Sequence, residues 1–127
     1  EIINDTYNAN PTSVKAALKT LSQIASGRKI AVLGDMLELG SVAEKEHYKL
    51  GAVIVAEGID YLLTIGDLAA EIAQGAEDKG LDKSKIFTYN NKEGAQAKLK
   101  EIIAVDDTVL VKASRGMKLE EIVESIS

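Results

Sequence analysis

Five short apolar runs recur along the chain, at Glu1–Asn4, Lys29–Leu33, Tyr61–Ile65, Lys85–Tyr89 and Thr108–Lys112, and each is followed by a longer stretch with apolar residues at helical spacing. Runs of four to six residues are strand-length, and their alternation with helical segments argues for successive βα units on a mainly parallel sheet. The expected fold is α/β: a Rossmann-like, three-layer doubly wound sheet, mainly parallel, of about five to six strands. With 127 residues, 46% of them apolar and 4% aromatic, the chain has material for one core built from Ile, Leu, Val and Ala. No proline-rich linker, repeat or low-complexity stretch divides it, so residues 1–127 read as a single domain.

The helices carry start and stop signals. Asn10-Pro11 predicts an N-cap followed by proline at the first helical position, where its missing N–H is harmless. That helix should run from Pro11 to about Ala25, with Val14, Ala17, Leu18, Leu21 and Ile24 toward the sheet and Lys15, Lys19 and Gln23 toward water. Ser41-Val-Ala-Glu44 has the spacing of a capping box and predicts a second helix ending at Gly58. Asp67 is expected to cap a third helix ending near Gly80, and Asn90-Asn-Lys-Glu93 to open a fourth. A last helix, Met117 to Ile126, should bury Leu119, Ile122, Val123 and Ile126.

Composition narrows the function. A formal net charge of −5 and the lack of a basic stretch argue against a nucleic-acid partner. With no cysteine, disulfides and thiolate metal sites are excluded, and no apolar run is long enough to span a bilayer. A cytoplasmic location and no membrane partner are expected. No G-x-G-x-x-G follows a strand, no P-loop precedes a helix, and no nucleophile elbow or H-E-x-x-H pair is present. His47, near Glu44 and Glu46, has no second histidine with which to hold a metal, and is expected to be structural. No metal site and no catalytic residue are assigned.

In an open α/β sheet the strand ends that lead into helices share one edge, and ligands bind there. Between the first strand and helix stand Asp5, Tyr7, Asn8 and Asn10, more hydrogen-bonding groups than a turn needs. Lys112-Ala-Ser-Arg-Gly-Met-Lys118 combines cations, a hydroxyl and a glycine before a helix, and can offer a guanidinium and backbone N–H groups to a carboxylate or phosphate. The alternative for that loop is a solvated turn with Lys112 pointing outward.

Taken in order, Asp5-Thr-Tyr-Asn-Ala-Asn-Pro with Ser13, Ile30-Ala-Val-Leu-Gly-Asp-Met-Leu-Glu-Leu-Gly40, His47, Gly58-Ile-Asp60 with Leu63-Thr-Ile-Gly66, and Val109-Leu-Val-Lys-Ala-Ser-Arg-Gly-Met-Lys-Leu-Glu120 resemble the C-terminal domain of the Mur ligases of peptidoglycan synthesis. The motifs resemble the branch that joins D-alanyl-D-alanine to UDP-N-acetylmuramoyl-tripeptide. Ala113 stands where many relatives carry glycine. The resemblance implies a three-domain, ATP-dependent amide ligase of cell-wall biogenesis, and with it cell shape and division. An N-terminal domain would hold the UDP end, and a central P-loop domain would hold ATP and Mg2+. The C-terminal domain would close over both and receive the dipeptide. By the same resemblance Asp5 hydrogen-bonds the ATP ribose, and Tyr7, Asn8 and Asn10 face the nucleotide. Asp35, within the loop Gly34 to Gly40, and Ser114, Arg115, Gly116 and Met117 approach the incoming dipeptide.

A chain whose first residues already read as a strand, without an initiator methionine, is expected to be a piece of something longer, with the N-terminal and central domains elsewhere and no activity alone. Two other readings compete. A receiver-like signalling domain shares the fold and a lysine after the last strand, but its third strand should end in aspartate, whereas this one ends Thr64-Ile-Gly66. A free-standing module for a small ligand would need no upstream P-loop.

Overall fold

The computed structural model describes residues 2–5, 9–113 and 120–126, apart from the side chains at 4, 5, 120, 125 and 126. The elements follow in the order β1 (Ile2–Asp5), α1 (Pro11–Ile24), β2 (Lys29–Gly34), α2 (Ala43–Ala56), β3 (Tyr61–Ile65), α3 (Ala69–Asp78), β4 (Ile86–Tyr89), α4 (Lys92–Ile102), β5 (Thr108–Lys112) and α5 (Glu120–Ile126). Short 3₁₀ turns at Gly40–Val42 and Lys83–Lys85 precede α2 and β4. The five strands form one sheet in the order β1-β5-β2-β3-β4, and every pair is parallel. The expected α/β doubly wound architecture is therefore present, and its described strands are all parallel.

Strand alternation divides the core in two. Ala31, Leu33, Leu62 and Leu110 face α1, α2 and α3, meeting Val14, Leu18, Leu21, Leu50, Ile54, Ile72 and Ala76. Ile30, Val32, Leu63, Ile65, Val109 and Val111 face the other way, toward Ala95 and Leu99 of α4 and Ile122 of α5. Burial on both faces explains why the strands read as continuous apolar runs. It also follows from chirality. The chain steps across the sheet in one direction from β1 to β4, so right-handed crossovers put α1, α2 and α3 on one face; the return from β4 to β5 puts α4 on the other.

Most element boundaries match the expectation, and the departures have local causes. Pairing of β1 with β5 continues through Asp5 opposite Lys112, so Asp5 closes the strand instead of opening the loop. Ile24, expected inside, is exposed because α1 ends there and Ala25 turns to extended backbone. The Ser41 capping box does not form: Ser41 lies within a 3₁₀ turn, and the residue before α2 is Val42, which makes no side-chain cap. Asp67 caps nothing, since α3 starts after Leu68 without a cap from its own segment. The fourth helix is capped by Asn91, one residue beyond Asn90, whose Oδ1 accepts the Gly94 N–H at 3.0 Å. Of the last helix, 117–119 lie outside the described residues; Ile122 is buried as expected.

Two features are non-local. Helices α2 and α3 approach so closely at Gly51 and Gly75 that a methyl on Gly51 would collide with the backbone of Gly75 and Ala76, and one on Gly75 with the Tyr48 carbonyl. At the sheet's opposite end, Arg28 grips Asp107 bidentately, Nε to Oδ1 at 2.9 Å and Nη2 to Oδ2 at 2.7 Å, and Nη2 also donates to the Ile102 carbonyl. Asp107 additionally accepts the Ala104 N–H at 2.8 Å, and its side chain is 3% exposed. The Arg28 hydrogen bond, with help from the Ala104 N–H, holds the Asp107 carboxyl below its ordinary range against the opposing effect of burial.

Gly51→Ala should destabilise the chain by about 1–3 kcal/mol, although alanine is the better helix former, because the added methyl has backbone in its way; denaturant unfolding reads the change. Asp107→Asn should lower stability near neutral pH by about 1–3 kcal/mol. Folded Asp107 binds fewer protons than unfolded Asp107, so its contribution is complete above the ordinary carboxylate pKa of about 3.9 and disappears as pH falls through the lower folded value. The gap between wild type and variant in unfolding curves should close over that acid range and stay constant from pH 5 to 8.

Candidate functional site

The crevice of a doubly wound sheet opens where neighbouring strands send their following segments to opposite faces. Here β5 lies between β1 and β2. β1 and β2 lead into α1 and α2 on one face, and β5 into α5 on the other. The carboxyl ends of these three strands carry Asp5, Ala113 and Asp35, so the topology brings three of the loops singled out in the sequence to one rim. Tyr7, Asn8, Ser114, Arg115, Gly116 and Met117 lie outside the described residues.

Asn10 takes up the cap geometry expected of it. Its Oδ1 accepts the Ser13 N–H at 2.9 Å, while Ser13 Oγ accepts the Asn10 N–H at 3.0 Å, a reciprocal box with Pro11 at the first helical position. Asn10 is exposed at the mouth of α1.

Asp35, half-buried at the end of β2, reaches sideways to the neighbouring unit. Its Oδ1 accepts the Ala69 N–H at 2.7 Å, so this acid supplies the cap that α3 lacks in its own sequence. The approach requires glycine at position 66: its φ of +112° lies in the left-handed region, and a Cβ there would strike the Asp35 carboxylate. The next residue is tied down as well. Met36 donates its N–H to Nε2 of the fully buried His47 at 2.9 Å, while Nδ1 of His47 donates to the Ala43 carbonyl at 2.6 Å. A backbone N–H can only donate, so these bonds select the neutral tautomer with its proton on Nδ1. His47 is structural, and it anchors the root of a loop whose outer part holds Leu37, 43% exposed, and Glu38 at a φ of +65°.

Lys112 does not point outward. It is 1% exposed at the end of the interior strand β5, between Asp5 of β1 and Leu33 of β2 in register. The solvated-turn alternative therefore fails at this residue. Its burial had no local signal, since it follows from α1 packing over β5. Among the described residues no group of three or more His, Asp or Glu gathers closely enough to hold a metal ion, so no magnesium cage is assigned to them. A shallow groove of about 460 Å³ between α1 and α2, lined by Ala16, Ala52, Val53 and Ala56 with Lys15, Lys19 and Glu57, lies on the outer helical face and not at the rim.

A parallel, doubly wound sheet whose switch point falls at the ends of β1, β5 and β2 defines an α/β domain of Rossmann type. Residues 1–115 match the family described as Mur ligase, glutamate ligase domain, and the chain belongs to that family. It is 48% identical over 126 residues to the UDP-N-acetylmuramoyl-tripeptide–D-alanyl-D-alanine ligase of Bacillus subtilis, covering 98% of this chain and 27% of that protein. The Escherichia coli enzyme of the same name is 35% identical, with 98% and 26% covered. Among solved structures, MurF from Acinetobacter baumannii superposes with a TM-score of 0.84 at 30% identity, covering 95% of this chain and 26% of that one. MurF ligase from Thermotoga maritima in complex with ADP gives 0.79 at 29% identity, with 98% and 27% covered. The chain thus spans about a quarter of the length of the relatives it matches.

Asp35→Ala should lower stability by about 1 kcal/mol through loss of the α3 cap, with hydrogen exchange accelerated at the Ala69 amide while β1 and β5 keep their protection. Unchanged exchange at Ala69 would contradict the cap.

Proposed function

We propose that this chain is the C-terminal domain of an ATP-dependent ligase that adds D-alanyl-D-alanine to UDP-N-acetylmuramoyl-tripeptide in peptidoglycan precursor synthesis. The observation that carries the reading is the match of nearly the whole chain, in order, to relatives bearing that name, on a sheet whose order puts a switch point at β5. The N-terminal and central domains are assigned to other parts of the same polypeptide, and ATP, the UDP-linked tripeptide and the dipeptide are its substrates. The reaction is assigned to the cytoplasm on the nature of these substrates.

In this reading ATP transfers its γ-phosphoryl group to the terminal carboxylate of the tripeptide, giving an acyl phosphate and ADP. The dipeptide amine attacks the acyl carbon, loses a proton, and the tetrahedral intermediate expels phosphate as the amide forms. The C-terminal domain binds and orients. Asp5 accepts from the ribose hydroxyls, with Tyr7, Asn8 and Asn10 along the nucleotide. Arg115, with backbone N–H groups of Ser114, Gly116 and Met117 beside it and Asp35 across the rim, receives the dipeptide, the guanidinium pairing with its carboxylate. Mg2+ is assigned to the phosphates and the central domain, where it would offset charge on the transferring group.

The chain alone, given ATP, UDP-N-acetylmuramoyl-tripeptide and D-alanyl-D-alanine, should release no phosphate above background, whereas the full-length parent ligates. In the parent, Arg115→Ala should raise the KM for the dipeptide about 10- to 100-fold, the loss expected of a charged hydrogen bond, with the KM for ATP little changed. Substantial ATP turnover by the chain alone, or a parent that accepts no D-alanyl-D-alanine, would overturn the proposal.

A further inference from the structure

Lys112 is the buried titratable group for which the reading above has no use. It is among the largest fully buried side chains of the domain, and an ammonium removed from water is strongly unfavourable unless an opposite charge accompanies it. Strand alternation puts Lys112 on the side of Leu110, beneath α1, whose inward residues Val14, Leu18 and Leu21 are apolar. Its register neighbour on β2 is Leu33, which brings no charge, and its register neighbour on β1 is Asp5. Asp35, the acid next along the rim, is turned to the Ala69 N–H.

We infer that Lys112 is a positioning residue for the nucleotide: its buried ammonium holds the carboxylate of Asp5 beside it, so that the acid is presented at a fixed angle to the two hydroxyls of a ribose. The inference rests on the assignment of Asp5 to the ribose made above. A lysine that is almost wholly inside the protein cannot touch the ligand, and acts on it through the acid alone. The arrangement also makes the charge of the pair neutral, so that an acid can stand at a site for a polyanion without adding its full repulsion.

Kinetics of the full-length parent with Lys112→Met, which keeps the volume, and Lys112→Arg, which keeps the charge, test the role. Lys112→Met should raise the KM for ATP about tenfold, as expected for loss of a charged contact, with kcat within about threefold. It should also erase the preference for ATP over 2′-deoxy- and 3′-deoxy-ATP. Lys112→Arg should restore most of both. An unchanged KM and an unchanged deoxynucleotide preference in Lys112→Met would overturn the inference.

The pairing itself is read without ligase activity, from a double-mutant cycle of Asp5→Asn and Lys112→Met in urea unfolding of the chain. The two changes should couple by at least about tenfold in the unfolding equilibrium, the double variant being more stable than additivity allows. Should Lys112→Met alone fail to fold, the double variant should recover the fold. Additive effects, or no recovery, would overturn the pairing. A parent that does not ligate would instead overturn the proposed function and leave the cycle to judge Lys112.

Discussion

The handedness of the βαβ crossover is the constraint on which the rest of this domain depends. Three same-direction steps from β1 to β4 stack α1, α2 and α3 on one face, and the long return to β5 delivers α4 to the other, where α5 joins it after β5. Inserting β5 between β1 and β2 sets a strand whose following segment goes to one face between two whose following helices go to the other. The rim is therefore not an added feature of the fold. It is the place where a right-handed chain cannot cover the strand ends, and where polar residues remain next to an apolar sheet.

Residues distant in sequence stiffen that rim. Asp35 and Ala69 are joined across 34 positions, and the same β2 loop is held one residue further on by His47. The α3 that receives this cap is itself pressed against α2 by the Gly51 and Gly75 contact. A shift of the loop root would thus have to move two helices at once. The bonds are few, but they lie in series between the packed layer and the rim, which lets the rigidity of the core reach the strand ends.

The periods of the sequence carried the architecture, because a strand buried on both faces and a helix buried on one leave different apolar spacings. Tyr61–Ile65 and Thr108–Lys112 were legible to the residue, as was Asn10 with Pro11, whose cap is made within four positions. Signals of the same local kind failed where tertiary contacts had priority. Ser41 and Glu44 have the spacing of a capping box, yet the loop before them is set by the Met36–His47 bond, and the chain enters α2 through a 3₁₀ turn. Asp67 reads as a cap for α3, but the helix starts after Leu68, and an acid from the neighbouring strand end takes the Ala69 N–H. For the candidate site, motif order placed Asp5, Asp35 and the residues after Lys112 on one edge. It could not reveal that Lys112 is inside, because nothing in Val-Leu-Val-Lys distinguishes a final strand residue that turns to solvent from one covered by a helix 90-odd positions earlier.

Charge bears on what the proposed function asks of such a rim. The chain carries a formal −5, and under the proposed function it meets polyanions, ATP and a UDP-linked peptide. Lys112 lies below the surface and adds little positive potential outside, and the described residues gather no metal cage. Under that function directed hydrogen bonds from this rim suit hydroxyls and a single carboxylate, whereas charge moving on a triphosphate calls for cations close to it. The proposed function assigns that neutralisation to the central domain. On that proposal the division would also serve specificity, since hydroxyl and dipeptide contacts made by one domain and phosphate contacts made by another would be satisfied together only once the two had closed.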